Sequence, residues 1–186
     1  MQAAADASSS GMVAVVGLDK DTVEQICAEA REKSGAKVAI ANYLVDGNYA
    51  VSGASEACEA VKEIAPSKGA RMAVSLAVAG AFHTDFMAPA VKPLKKVLDE
   101  VEIKETRIPV FSNVDAEPHR SVSDIKYNLA LQVTMPVQWE RIITDMVKSE
   151  EWALGEGNSY ELGPGTVCRG IVKRFGKKQP VQSIQV

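Results

Sequence analysis

The chain has 186 residues, with 21 lysines and arginines against 24 aspartates and glutamates, for a formal net charge of −3. Apolar residues make up 46% and charged residues 24%, which excludes a disordered, a collagenous or a strongly basic nucleic-acid-binding chain. Its longest weakly polar run, 72–82, contains Ser75 and falls far short of the ~20 apolar residues of a membrane span. Neither nucleic acid nor membrane is an expected partner.

Residues 1–11 carry no basic and apolar regions of a signal peptide and no arginine-rich presequence; 3–11 reads as a loop or short helix end. The β-branched run 12–18 (MVAVVGL) predicts a buried strand. Asp19 and Asp21 can cap a helix whose face holds Val23, Ile26, Cys27 and Ala30, closed by Gly35. Residues 38–44 predict a second strand, Asp46-Gly47-Asn48 a hairpin turn, and 49–53 the returning strand. A helix with Ala57, Val61 and Ile64 on one face ends near Pro66, and 72–78 reads as a fourth strand. The order β-α-β-β-α-β within about 70 residues is that of a ferredoxin-like subdomain.

The second half reads differently. A helix over 86–101 has the stripe Met87, Val91, Leu94, Val97 and Leu98, and 107–114 (RIPVFSNV) reads as a strand. Helices are expected over 123–133 and 137–147, parted near Met135-Pro136. A short strand at 160–162 leads through Gly163-Pro164-Gly165 to a helix over 166–175, and 176–186 reads as a fraying tail. Two strands are too few for a complete α/β domain and fit the edge of a sheet finished by other residues. The expected organisation is a lead-in (1–11), the ferredoxin-like subdomain (12–80), part of a larger subdomain (81–175) and the tail (176–186).

Few residues point to chemistry. Cys27, Cys58 and Cys168 lack C-x-x-C spacing, which fits neither a disulfide framework nor a zinc site, and Cys27 reads as core. His119 lies in the polar run Glu117-Pro118-His119-Arg120 and reads as solvated. His83 lies where an apolar strand meets a helix start, the lip of a sheet where general bases sit, and also where a structural histidine could cap. The glycine turn 163–165 is an anion cradle or a plain strand-to-helix turn. Lys173, Arg174, Lys177 and Lys178 could meet an acidic partner or match a helix dipole. No G-x-S-x-G nucleophile elbow occurs in the 186 residues.

The stretches GAFHTDFMAPAV (80–91), IPVFSNVDAEPH (108–119), LQVTMPVQWE (131–140) and ELGPGTVCRGIVKR (161–174) resemble the malonyl-CoA:acyl carrier protein transacylases. MQAAADA, GMVAVVGLD and NYLVDGNYAVSG resemble the plastid-type members in particular. The resemblance implies an α/β-hydrolase-like acyltransferase subdomain with the ferredoxin-like one inserted. It also implies a two-step acyl transfer through a serine ester, with His83 as the base and the backbone carbonyl of Gln132 orienting it. Phe82 would be a wall against branched acyl groups, worth only ~1–3 kcal/mol for one methyl. Asn42 matches a cleft position, although the pattern after it departs from the family's at Leu44-Val45-Asp46-Gly47-Asn48.

By the same resemblance the substrate is malonyl-CoA, the partner an acyl carrier protein, and no cofactor is expected. A monomer when complete is expected, in a plastid stroma, or else in cytoplasm or mitochondrion. The family's serine elbow, its carboxylate-binding arginine and its N-terminal glutamine loop have no counterpart among these residues. In the family that arginine stands a few residues ahead of a Met-Gln pair, and this chain starts Met1-Gln2. The expectation is roughly the last three-fifths of an enzyme, inactive alone; the alternative is a non-catalytic module that binds acyl carrier protein.

Overall fold

The structure, a computed structural model, describes residues 1–149, 159–175 and 181–184. Its centre is a four-stranded sheet of β1 (Ser10–Val16), β2 (Val38–Val45), β3 (Asn48–Ala54) and β4 (Met72–Ser75). The spatial order is β2-β3-β1-β4, antiparallel throughout. The helices α2 (Lys20–Ser34) and α3 (Ser55–Ile64) link β1 to β2 and β3 to β4. Asp19 caps α2 by accepting the Thr22 amide at 2.8 Å, and Gly35 closes it in the left-handed region, φ 70°.

Alternation along the strands divides the sheet. Val13, Val15 and Val51 point to the helical face and pack with Val23, Ile26, Cys27, Ala57 and Val61, all buried. Each buried valine or isoleucine among them stabilises the fold by roughly 1.5–3 kcal/mol. The opposite face carries Met12, Ala41 and Ala50, against which Phe82 packs. Burial pushes the Cys27 thiol up to about 12 and the Cys58 thiol to about 11, as befits cysteines used as core.

Before β1, α1 (Gln2–Ala5) buries Ala4 and Ala5 against Met87 and Val133, so the lead-in is a packed element. The expected helix over 86–101 is two pieces, a 3-10 turn at Asp85–Ala90 and then α4 (Val91–Glu100). Pro89 has no N–H for an α-helical ladder, whereas Pro93 falls in the first turn of α4, where none is needed. Next come α5 (Val122–Leu131), capped by Ser121, and α6 (Trp139–Lys148).

Two expectations are corrected. Residues 107–114 do not form a strand: Ile108 is 73% and Val110 43% exposed, and Pro109 cannot donate to a ladder. The chain folds back on itself here, with one bridge, Phe111 to Pro118, and His119 donating its amide to the Val110 carbonyl at 3.0 Å. Of the tail, 176–180 and 185–186 lie outside the described residues, and 181–184 is not frayed: β6 (Val181–Ile184) pairs in parallel with β5 (Ser159–Leu162). Between them α7 (Val167–Val172) is shorter than the expected 166–175.

Candidate functional site

The site is built on residues 80–85, which leave the sheet and lie across its non-helical face. Gly80 is required by close approach: a Cβ there would come within 2.9 Å of the Ala5 Cβ and 3.3 Å of the Met87 Cε. His83 follows with φ 60°, a left-handed conformation that costs a non-glycine residue about 1–3 kcal/mol. Thr84 begins the 3-10 turn, donating its hydroxyl to the Ala81 carbonyl at 2.6 Å.

Strain at His83 aims its ring at α5. Nδ1 stands 2.9 Å from the carbonyl oxygen of Gln132, the C-terminal cap of α5. A carbonyl only accepts, so Nδ1 carries a proton, and in the neutral ring the lone pair is on Nε2. Gln132 lies beyond the last α5 residue that a helical N–H can serve, which leaves its oxygen for the ring. His83 and Gln132, 49 residues apart, are thus brought together.

His83 lines a groove of about 360 Å³ with Arg31, Lys37, Ser52, Asp85 and Phe86 among its walls. Among the described residues three hydroxyls line it, and each donates its proton to a backbone carbonyl. Ser52 donates to Phe82 at 2.8 Å, Thr84 to Ala81, and Thr134 to Leu131 at 3.3 Å. None of the three is set to be activated by His83. What the groove offers is an imidazole whose Nδ1 is engaged by a carbonyl, leaving Nε2 as the nitrogen that can take a proton from a hydroxyl or thiol and return it.

Phe82 and Asn42 lie elsewhere. The Phe82 ring packs between the sheet cluster and the cluster of Ala4, Ala5, Met87 and Val133. Asn42 sits where β2 forms a parallel bridge to Val137, and its Oδ1 is buried without a hydrogen bond among the described residues. Neither lines the groove with His83.

His119 is not solvated as expected. Its side chain is 9% exposed, with Nδ1 3.5 Å from an Asp124 carboxylate oxygen. Asp124 also accepts the Arg120 amide, and its own amide donates to the Ser121 hydroxyl. Beyond the glycine turn, the first turn of α7 holds an anion of the chain's own: Glu161 accepts the amides of Cys168 and Arg169 at 2.8 and 2.9 Å. These hydrogen bonds, that from Arg169 foremost, lower the Glu161 pKa. Their stabilisation is therefore present above the ordinary carboxylate range near ~4.3 and is lost as pH falls through the lowered folded value. Protection of the Cys168 and Arg169 amides, taken relative to the intrinsic exchange rate at each pH, should fall on acidification, and Glu161→Gln should flatten that response. Of the basic patch, Arg174 donates to the Asp46 carbonyl at 2.9 Å, tying α7 to the hairpin; Lys177 and Lys178 lie outside the described residues.

Sequence reading missed Ser10, Ser52 and Thr84 around His83. A serine at 52 in an otherwise apolar alternation was the available signal.

No protein-family model matches the sequence. Individual relatives do. The malonyl CoA-acyl carrier protein transacylase of Bacillus subtilis is 35% identical over 178 residues, 96% of this chain and 54% of the relative. The mitochondrial malonyl-CoA-acyl carrier protein transacylase of Homo sapiens is 34% identical over 93% of this chain and 46% of its own length. A malonyl-transacylase solved in complex with its type II PKS acyl carrier protein superposes with a TM-score of 0.84 and 28% identity. That match covers 96% of this chain and 55% of the other.

Fold and neighbours first define a class: a mixed α/β chain with a small antiparallel sheet, matching solved malonyl-transacylase structures. Within that class, the chain is related over almost its whole length to the malonyl-CoA:acyl carrier protein transacylases. It spans about half the length of the curated relatives it matches. Among the described residues no helix is long and apolar enough to cross a membrane.

Proposed function

We propose that this chain is the histidine-bearing part of an enzyme that transfers malonyl from coenzyme A to the phosphopantetheine thiol of an acyl carrier protein in fatty-acid biosynthesis. The observation that carries this reading is the His83 ring, with Nδ1–H held by the Gln132 carbonyl, in the wall of a groove whose hydroxyls among the described residues are all engaged.

In the reaction, a serine from outside this chain's groove gives its proton to His83 Nε2 as its oxygen attacks the malonyl thioester. The coenzyme A sulfur leaves with that proton. The carrier-protein thiol then gives its proton to Nε2, its sulfur attacks the serine ester, and the serine oxygen leaves with the proton. While the ring is charged, it stands at the negative end of α5. No step calls for a cofactor.

Gln132 holds the tautomer without placing a carboxylate beside the ring. Phe82 and Asn42, away from the groove, would meet substrate only across a cleft closed by further residues. We read the β-α-β-β-α-β sheet as the ferredoxin-like subdomain of such an enzyme, the whole acting as a monomer. The plastid-type stretches make the plastid stroma the compartment to examine. Joined to the part of the Bacillus subtilis relative that it does not match, the chain should transfer malonyl to acyl carrier protein. A fusion that melts cooperatively yet transfers none would overturn this reading.

A further inference from the structure

We propose that Ser52, with Ser10 and Thr84, forms a hydroxyl latch that fixes the peptides before His83 and so sets the direction of its ring; this rests on the reading of His83 as the base. Ser52 belongs to β3, the strand held between β2 and β1, where it sits opposite Ala39 on one side and Met12 on the other. It shares a strand face with Ala50, among Met12, Ala41 and Phe82, and is wholly buried. A buried hydroxyl on an apolar face is costly unless it is hydrogen-bonded, and this one donates to the Phe82 carbonyl at 2.8 Å.

The same stretch is gripped twice more. The Ala81 amide donates to the Ser10 hydroxyl at 3.1 Å, and the Ala81 carbonyl accepts from Thr84 at 2.6 Å. Three polar groups of residues 81 and 82, just ahead of the left-handed His83, are therefore tied by side chains: two from the sheet and one from the following turn. A strained conformation persists only where its surroundings over-determine it. Without the Ser52 donor, the Phe82 carbonyl is free to turn, His83 relaxes toward ordinary backbone, and the ring leaves the Gln132 carbonyl. Ser52 is thus a positioning residue, acting through the Phe82 peptide and not on substrate.

The chain has two histidines, so ring nitrogen signals of the ¹⁵N-labelled 186-residue protein are assignable by comparison with His83→Gln. In the unsubstituted chain His83 should be protonated at Nδ1 and bare at Nε2. Ser52→Ala should lower the ratio of that tautomer to the other about tenfold, the worth of one hydrogen bond. Thr84→Val should act in the same direction, and Thr84→Ser should restore the signal. Val61→Ala, which loosens the helical face of the sheet, should leave it alone.

An unsubstituted ring protonated at Nδ1 that stays so in folded Ser52→Ala overturns the latch, as does an equal change in Val61→Ala. If Ser52→Ala does not fold, Thr84→Val against Thr84→Ser decides, and equal tautomer ratios in those two overturn it. A bare Nδ1 in the unsubstituted chain overturns the latch and the base together. A tautomer that responds as expected, with transfer by the completed enzyme surviving His83→Ala, overturns only the base.

Discussion

His83→Ala in the completed enzyme should lower malonyl transfer to acyl carrier protein by about 10²–10⁴-fold, the usual contribution of a positioned general base. The loss should fall on kcat, with KM for malonyl-CoA little changed, because Nε2 acts on a proton in transit and not on bound substrate. Gln132 does not compensate, since its role at the ring is played by a backbone oxygen. For that reason Gln132→Ala should keep most of the activity. Initial rates of carrier-protein malonylation for the two variants check both halves; a His83→Ala enzyme at the unsubstituted rate removes the histidine from the mechanism.

Gly53→Ala should be the most damaging small change to the sheet. An added Cβ would lie 2.2 Å from the Lys37 carbonyl oxygen and 2.6 Å from the Val38 Cα. Those are backbone atoms where β2 begins, and side-chain rotation cannot relieve the overlap. Moving them breaks the pairing of Gly53 with Val38 and the Ala54 to Lys37 hydrogen bond. Overpacking of this kind costs about 1–3 kcal/mol or more, and each kcal/mol lowers Tm by about 2–4 °C in a chain of this size. Gly11→Ala, with nothing within 4 Å of its added Cβ, should stay within about 0.5 kcal/mol of the parent. Thermal melts of the pair separate crowding from loss of glycine as such.

What could be read beforehand was what local pattern dictates. The alternation of Val13 and Val15, the Asp19 cap, the turn at Asp46-Gly47 and the i, i+3, i+4 face of α2 are each specified within a few residues. Strand 107–114 failed because a β-like run becomes a strand only with a neighbour. Here the chain supplies Pro118 and His119 for one turn of pairing and leaves Ile108 exposed. The β6 pairing was missed for the converse reason, since Val181–Ile184 is too short to signal a strand without its partner β5. His119 looked polar by its neighbours, yet its side chain is 9% exposed and lies beside Asp124 in the next helix.

The site divides in the same way. His83 stands out by its place between an apolar run and a helix start, and Gln132 came only from family likeness. The Ser10, Ser52 and Thr84 contacts join β1, β3 and the 3-10 turn, elements far apart in sequence. No spacing rule encodes such a meeting; folding of the sheet creates it.

On the function proposed above, this chain holds the base of a malonyl transferase and not its nucleophile. The most direct measurement is to incubate the 186-residue protein with radiolabelled malonyl-CoA and to count label that survives denaturation. The expected result is none, because Ser52, Thr84 and Thr134 have their protons committed to carbonyls. A stable, stoichiometric malonyl ester on the protein alone would contradict it.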